Sequence, residues 1–260
     1  MYLWKYWRES RIIFGISMLG IAVLALLVFK GVWYIGNNSG HPDPRGIAQF
    51  FIISMYLQVP VFAFLAWVMG SFGVGRDMGE DSGSFLLTRP QRRYWFLWRD
   101  WGFGFTQLVV AIVLVNLLIG YLVHGLSGAG GGPFSGTIVF GDVFSPLPLS
   151  AAMGLNCLTI VLFAGLIFGV TYFSTIAMKH ARGIMLGAGI ILGYLILRAL
   201  VQHYWSVDLP SLLLQAFDLS PRSHNSMGLL DQLGLAVALR GAVVLLIPLA
   251  AQVVLERAEI

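Results

Sequence analysis

The sequence predicts an all-α integral membrane fold, with six transmembrane helices and both termini cytoplasmic, as a single domain over residues 1–260. Three observations carry this. Hydrophobic residues make up 58% of the chain and Asp, Glu, Lys and Arg only 11%, whereas an ordinary soluble domain carries about 25% charged residues. The apolar residues lie in long continuous runs that do not alternate, which requires helices and not barrel strands. The basic residues gather at the ends of those runs, more on one side than the other. The same figures exclude a disordered chain and, with Cys157 alone, a disulfide scaffold. The net charge of +4 is explained by membrane topology, because its basic residues flank apolar runs; no nucleic-acid partner is expected.

Residues 1–11 read as a short amphipathic interfacial helix. At 100° per residue, Leu3, Trp4, Tyr6 and Trp7 share one side, with Lys5, Arg8 and Glu9 on the other. It serves either as a membrane anchor or as a grip on a partner. The six spans are 12–35, 50–74, 101–123, 151–178, 183–201 and 233–255, each near the roughly 20 residues that a bilayer requires. The first, behind Lys5, Arg8 and Arg11, imitates a signal peptide. It is long for one and has no small-x-small site behind it, so it is read as an uncleaved span. Eleven Lys and Arg lie with the termini and the second-to-third and fourth-to-fifth connections, four lie on the other side, and Arg240 is intramembrane. The positive-inside rule then places both termini in the cytoplasm.

The connection 75–100 is the most informative segment. With its flanks it reads GRDMGEDSGSFLLTRPQRRYWFLWRDW and holds nine of the chain's 28 charges. Gly79 and Gly83 permit tight turning, and Ser84 is placed to cap a short helix over Phe85, Leu86, Leu87 and Thr88. Pro90 disfavours helix at Arg89. A second helical start follows, rich in Tyr94, Trp95, Trp98 and Trp101, rings that favour the headgroup layer. A short helix with an apolar face just outside the bilayer docks another protein or, alternatively, rests on lipid with Arg92 and Arg93 on anionic headgroups.

Glu80, Gly83, Ser84, the run Phe85-Leu86-Leu87-Thr88-Arg89-Pro90 and then Arg93 resemble the first cytoplasmic loop of ABC-2 type transporter permeases. The opening Trp4 to Glu9, with Trp7 and Arg8 inside it, is similar to that family's N-terminal helix. The motifs cover some 30 residues, and the topology covers the whole chain. The resemblance implies the membrane subunit of an ABC exporter in the bacterial inner (plasma) membrane. Its cytoplasmic coupling helix, built from Glu80, Gly83, Ser84, Phe85, Leu86, Leu87, Pro90 and Arg93, would sit in a cleft of a separate ABC ATPase subunit. A second permease copy or a homologous permease would complete the path. No enzyme activity is expected of this chain. The P-loop needs a Lys after Gly, and none of Lys5, Lys30 and Lys179 follows one. ATP and magnesium would therefore belong to the partner, and no cofactor to this chain.

Two rival readings stand beside it. Gly125-Leu126-Ser127-Gly128 matches the G-x-S-G of rhomboid-like intramembrane serine proteases, with Ser127 as nucleophile. All five histidines lie at or beyond span ends, so a flexible external turn is the preferred reading of that segment. An ATP-independent channel or scaffold is the other. No two histidines stand three or four apart and no carboxylate lies inside a span, so no metal site is expected. Arg240 lies seven residues into the sixth span, about 10 Å deep at 1.5 Å per residue. It either pairs with Asp231, Asp218 or Asp142 or lines a transport path, the structural reading being preferred; Arg198 is expected to snorkel. Asn116, Asn156 and Thr159 read as interhelical hydrogen-bonding groups before substrate ligands. Gly165 with Gly169, and Gly189 with Gly193, read as close-packing pairs. Pro248 is expected to kink or loosen the sixth span. The apolar segment 209–219, too short to span, is expected to fold back into the outer leaflet or lie on the surface as an amphipathic helix.

Overall fold

The computed structural model describes residues 11–12, 14–16, 18–23, 25–27, 29–30, 44–72, 93–127, 137–138, 147–178, 181–205 and 229–257. Where described, the six predicted apolar segments are helical, apart from Ser71 and Phe72. The described residues between 11 and 30 are helical, with the apolar segment Phe14–Leu27 as α1. There follow α2 (Pro44–Gly70), α3 (Arg93–Ser127), α4 (Leu149–Met178), α5 (Ala181–Trp205) and α6 (Leu229–Arg257). Among the described residues, a two-residue antiparallel ladder of β1 (Thr137–Ile138) and β2 (Leu147–Pro148) stands just before α4, and Ser71 and Phe72 form a turn after α2. The fold is all-α. Trp95–Leu122 and Met153–Met178 are long and apolar enough to cross a membrane; the other apolar helical segments among the described residues are shorter.

Most helix boundaries differ from the sequence reading by two to eight residues, α2 for instance beginning at Pro44 and α5 running on to Trp205. The third helix begins at Arg93, so the last part of the 75–100 connection forms its first turns. After Pro90 nothing in Arg93 to Trp101 breaks a helix, and the aromatic and basic side chains there are compatible with one. The second helix closes at Gly70, before position 74: Ser71 N–H reaches the carbonyls of Trp67 and Val68, and Ser71 Oγ donates to Val68 O at 2.6 Å. Those bonds cap the last carbonyls and tighten the final turn. At the far end of α3, Gly125, Leu126 and Ser127 are helical rather than part of a turn. α2 continues through Pro60 and α6 through Pro248, each at the loss of one backbone hydrogen bond.

Successive helices from α2 to α6 run in alternating directions. Leu97 meets Tyr172 and Asn116 meets Asn156, so α3 and α4 are antiparallel. Gly183 lies against Ser174 and Gly187 against Thr171, so α5 descends along α4. Gly165 faces Val244 and Gly169 faces Ile247, so α6 runs parallel to α4. α4 is the central element and packs on α2, α3, α5 and α6. Ile21 and Ala25 of α1 join the same core.

Close approach to α4 is made by glycines. A methyl group on Gly70 would stand 2.7 Å from the Phe168 carbonyl, and one on Gly169 2.7 Å from Ile247 Cδ1. One on Gly183 would collide with the Ser174 carbonyl and Thr175 Cα. The predicted pair Gly165 and Gly169 is therefore a packed pair. Gly189 and Gly193 are not: both are exposed with nothing within 4 Å of an added Cβ, and the pair Gly183 and Gly187, six residues earlier, takes their place.

Large apolar side chains lie on the outside of the bundle as well as in its core, and several polar ones are buried. Val113, Leu117 and Tyr121 of α3, Met185 and Ile196 of α5, and Leu245 and Leu249 of α6 face outward. Ser54, Gln58, Asn116, Asn156, Thr171 and Ser174 are buried among the helices.

Candidate functional site

Two polar groups lie inside the bundle, both on α4. Asn156 and Tyr172 are 16 residues apart, about 24 Å at 1.5 Å per residue.

The first group joins α2, α3 and α4. Asn156 Nδ2 donates to Asn116 Oδ1 at 2.7 Å, and Asn116 Nδ2 donates to Gln58 Oε1 at 3.2 Å and to Ile112 O at 2.9 Å. Asn116 thus spends its acceptor and both donor hydrogens, and its amide plane is held from three sides. All three side chains are buried. Such chains polarise one another, and each bond keeps the next from being stranded in an apolar interior. Asn116 and Asn156 are therefore brought together. Thr159 is not part of the link: its hydroxyl bonds Leu155 O of its own helix at 2.8 Å, the local bond that helical Thr commonly makes. Ser54 lies one turn before Gln58 on the same face of α2, buried beside α1. Gln58 and Ser54 were missed in the sequence because the second run was read for charges. Their i, i+4 spacing, continued by Phe62, is the signal that marks one face.

The second group locks the start of α3 onto the ends of α4 and α6. Tyr172 Oη lies 3.1 Å from Asp100 Oδ2 and 3.3 Å from Leu97 O, two acceptors within reach of its single hydroxyl hydrogen. Trp98 Nε1 donates to Gln252 Oε1 at 3.3 Å. Rings fill the space between: Trp101 stacks on Phe105 at 5.1 Å, Trp98 meets Trp101 edge-on at 6.1 Å, and Phe168 stacks on Tyr172 at 5.9 Å. Each such pair contributes about 0.5–1.5 kcal/mol beyond its buried area. The first two turns of α3 are thus fixed to two other helices by hydrogen bonds and rings at once. Trp98 and Trp101 were read from the sequence as headgroup-layer rings; Trp101 is instead buried in this lock and Trp98 is partly buried.

Arg240 is partly buried on α6 and interacts electrostatically with Tyr194 of α5. Asp142 and Asp218 lie outside the described residues, as do the side chains of Asp231 and Arg198. Among the described residues no group of three or more His, Cys, Asp and Glu is placed to hold a metal.

Trp4, Trp7 and Arg8 lie outside the described residues, as do Glu80, Gly83, Ser84, Phe85, Leu86, Leu87 and Pro90, and segment 209–219. Arg93 opens α3 and Ser127 closes it, with side chains outside the described set. What the described residues do give is the two anchor points of the 73–92 connection, at the end of α2 and the start of α3. Gly70 is packed directly on Phe168 and Thr171 of α4, close to Tyr172, which binds Asp100.

No known protein family, curated protein or solved structure matches this chain.

Proposed function

We propose that the chain is a six-span membrane protein with cytoplasmic termini, and that it is the permease subunit of an ABC-2 type exporter driven by a separate ATPase. The apolar outward faces of α3, α5 and α6 support the membrane reading. They suit acyl chains, and in water they would form an apolar patch far beyond what monomeric soluble proteins expose. The alternating helices bring the end of α2, the start of α3, the end of α4 and the start of α5 to one end of the bundle. Arg93, Arg99 and Arg182 belong to that end, which the positive-inside rule makes cytoplasmic.

The observation that carries the reading is the lock at the start of α3. A coupling helix over Glu80 to Arg93 transmits force only if the helix beyond it is held to the rest of the bundle. α3 runs unbroken from Arg93 to Ser127, and Leu97, Trp98 and Asp100 tie its first turns to α4 and α6. In this mechanism ATP binding closes the partner ATPases, the connection between α2 and α3 is pushed, and Tyr172 and Gln252 pass that motion to α4 and α6. No residue of this chain carries out covalent chemistry.

The test is purification from native membranes followed by coupled assays. A P-loop ATPase is expected to co-purify, and Leu87→Asp is expected to leave the chain membrane-inserted while ATP hydrolysis no longer drives export. Purification of an intact chain without an ATPase overturns the reading in favour of a channel or scaffold.

A further inference from the structure

Ser54 and Gln58 are 6% and 4% exposed. Gln58 Oε1 is occupied by Asn116, but Gln58 Nε2 and Ser54 Oγ have no hydrogen-bond partner among the described residues. Both side chains line a partly open cavity between α1, α2 and α3, whose other lining among the described residues is apolar and includes Ile21, Ala25, Phe62 and Val115. The cavity is about 20 Å³. That is room for one water molecule, and a buried water needs at least two polar partners. The cavity meets both conditions. It meets neither condition for a larger guest. An ion would find no charged side chain in the lining, and burial without a counter-charge is prohibitive. An acyl chain would leave an amide donor and a hydroxyl stranded.

We propose that this cavity is a seat for a single buried water molecule. The water accepts a hydrogen from Gln58 Nε2 and is hydrogen-bonded to Ser54 Oγ. It extends the chain Gln58–Asn116–Asn156 by one link, so that a continuous hydrogen-bonded line runs from the α1 side of the bundle to α4. Gln58 then has a partner at both ends of its amide, which fixes its orientation toward Asn116.

The experiment is a structure of the full chain in lipid nanodiscs at a resolution that shows ordered water, paired with thermal unfolding of Ser54→Ala. One isolated solvent peak within hydrogen-bonding distance of Ser54 Oγ and Gln58 Nε2 is the expected result. An empty cavity, or elongated density continuous with lipid, overturns the proposal. With a seated water, Ser54→Ala removes one of its two anchors and lowers Tm by about 2–4 °C. With a dry cavity the same change removes an unpaired buried hydroxyl, and an unchanged or raised Tm refutes the seat.

Discussion

α4 and α5 look alike as sequence and differ in the bundle. Both are apolar, both are glycine-rich, and each carries a pair of glycines four residues apart that reads as a packing motif. α4 is enclosed by four helices and is buried nearly all round. α5 has its one extensive contact with α4, and its remaining surface, from Met185 to Leu200, is largely exposed apolar side chains. Gly165 is pressed against Phe105 of α3 and Val244 of α6, and Gly169 against Ile247 of α6, whereas Gly189 and Gly193 face outward. The small-xxx-small spacing therefore marks a surface on which a helix can approach closely without saying whether one does. The neighbour decides, and the neighbour of α5 is reached through Gly183 and Gly187.

Substitutions along the two helices test that contrast. The largest effect is expected at Gly183. Leu there would drive its Cβ into the backbone of Ser174 and Thr175, and backbone cannot step aside as a flexible side chain can. Loss at or above the upper end of the usual 1–3 kcal/mol for overpacking, roughly, is expected, read as loss of monodisperse protein in detergent. Normal behaviour of Gly183→Leu would mean that α5 does not dock on α4 through this seam. Next comes Asn116→Leu, which strands Gln58 Oε1 and Asn156 Nδ2 inside the bundle. Interhelical hydrogen bonds in membranes are worth about 0.6 kcal/mol on average and up to about 1.7, so a loss of about 1–2 kcal/mol is expected in reversible unfolding. A loss no greater than that of Thr159→Val, whose hydroxyl bonds only its own helix, would show that the Asn116 link contributes nothing across helices.

Tyr172→Phe is expected to cost less, about 0.5–1.5 kcal/mol, because the ring stays stacked on Phe168 while the bond to Asp100 is lost. If the chain works as the proposed exporter subunit, the functional effect should exceed the effect on stability, with ATP hydrolysis in the proposed complex continuing and export reduced. Equal loss of export and of folded protein would make Tyr172 a packing residue only. The smallest effect belongs to Gly189→Ala and Gly193→Ala. An added methyl meets nothing within the chain, so stability should change by less than about 0.5 kcal/mol. A large loss in the assembled state, with none in the separated chain, would show that this face of α5 is covered by another subunit.

The helices were legible because continuous apolar runs free of carboxylates leave the backbone no alternative to satisfying itself. Their ends were less so. Ser71 closes α2 by a side-chain bond to Val68 O that composition does not announce, and the helical start expected after Pro90 gave no sign that it runs unbroken into the third span. The candidate site was half legible. Asn116 and Asn156 were singled out as interhelical groups, but their mutual bond, the share of Gln58, and the meeting of Tyr172 with Asp100 are contacts across 40 to 72 positions of chain.

By itself the sequence determined that this chain is a set of apolar helices whose basic residues gather at one set of ends, because charge content and run length depend on residue identity alone. The tertiary structure decided which faces meet. Helices that are apolar on every side carry no direction toward a core, so their partners are selected by fit: glycine gaps that admit a neighbouring backbone, amides that must find an amide, and one aromatic lock at the start of α3.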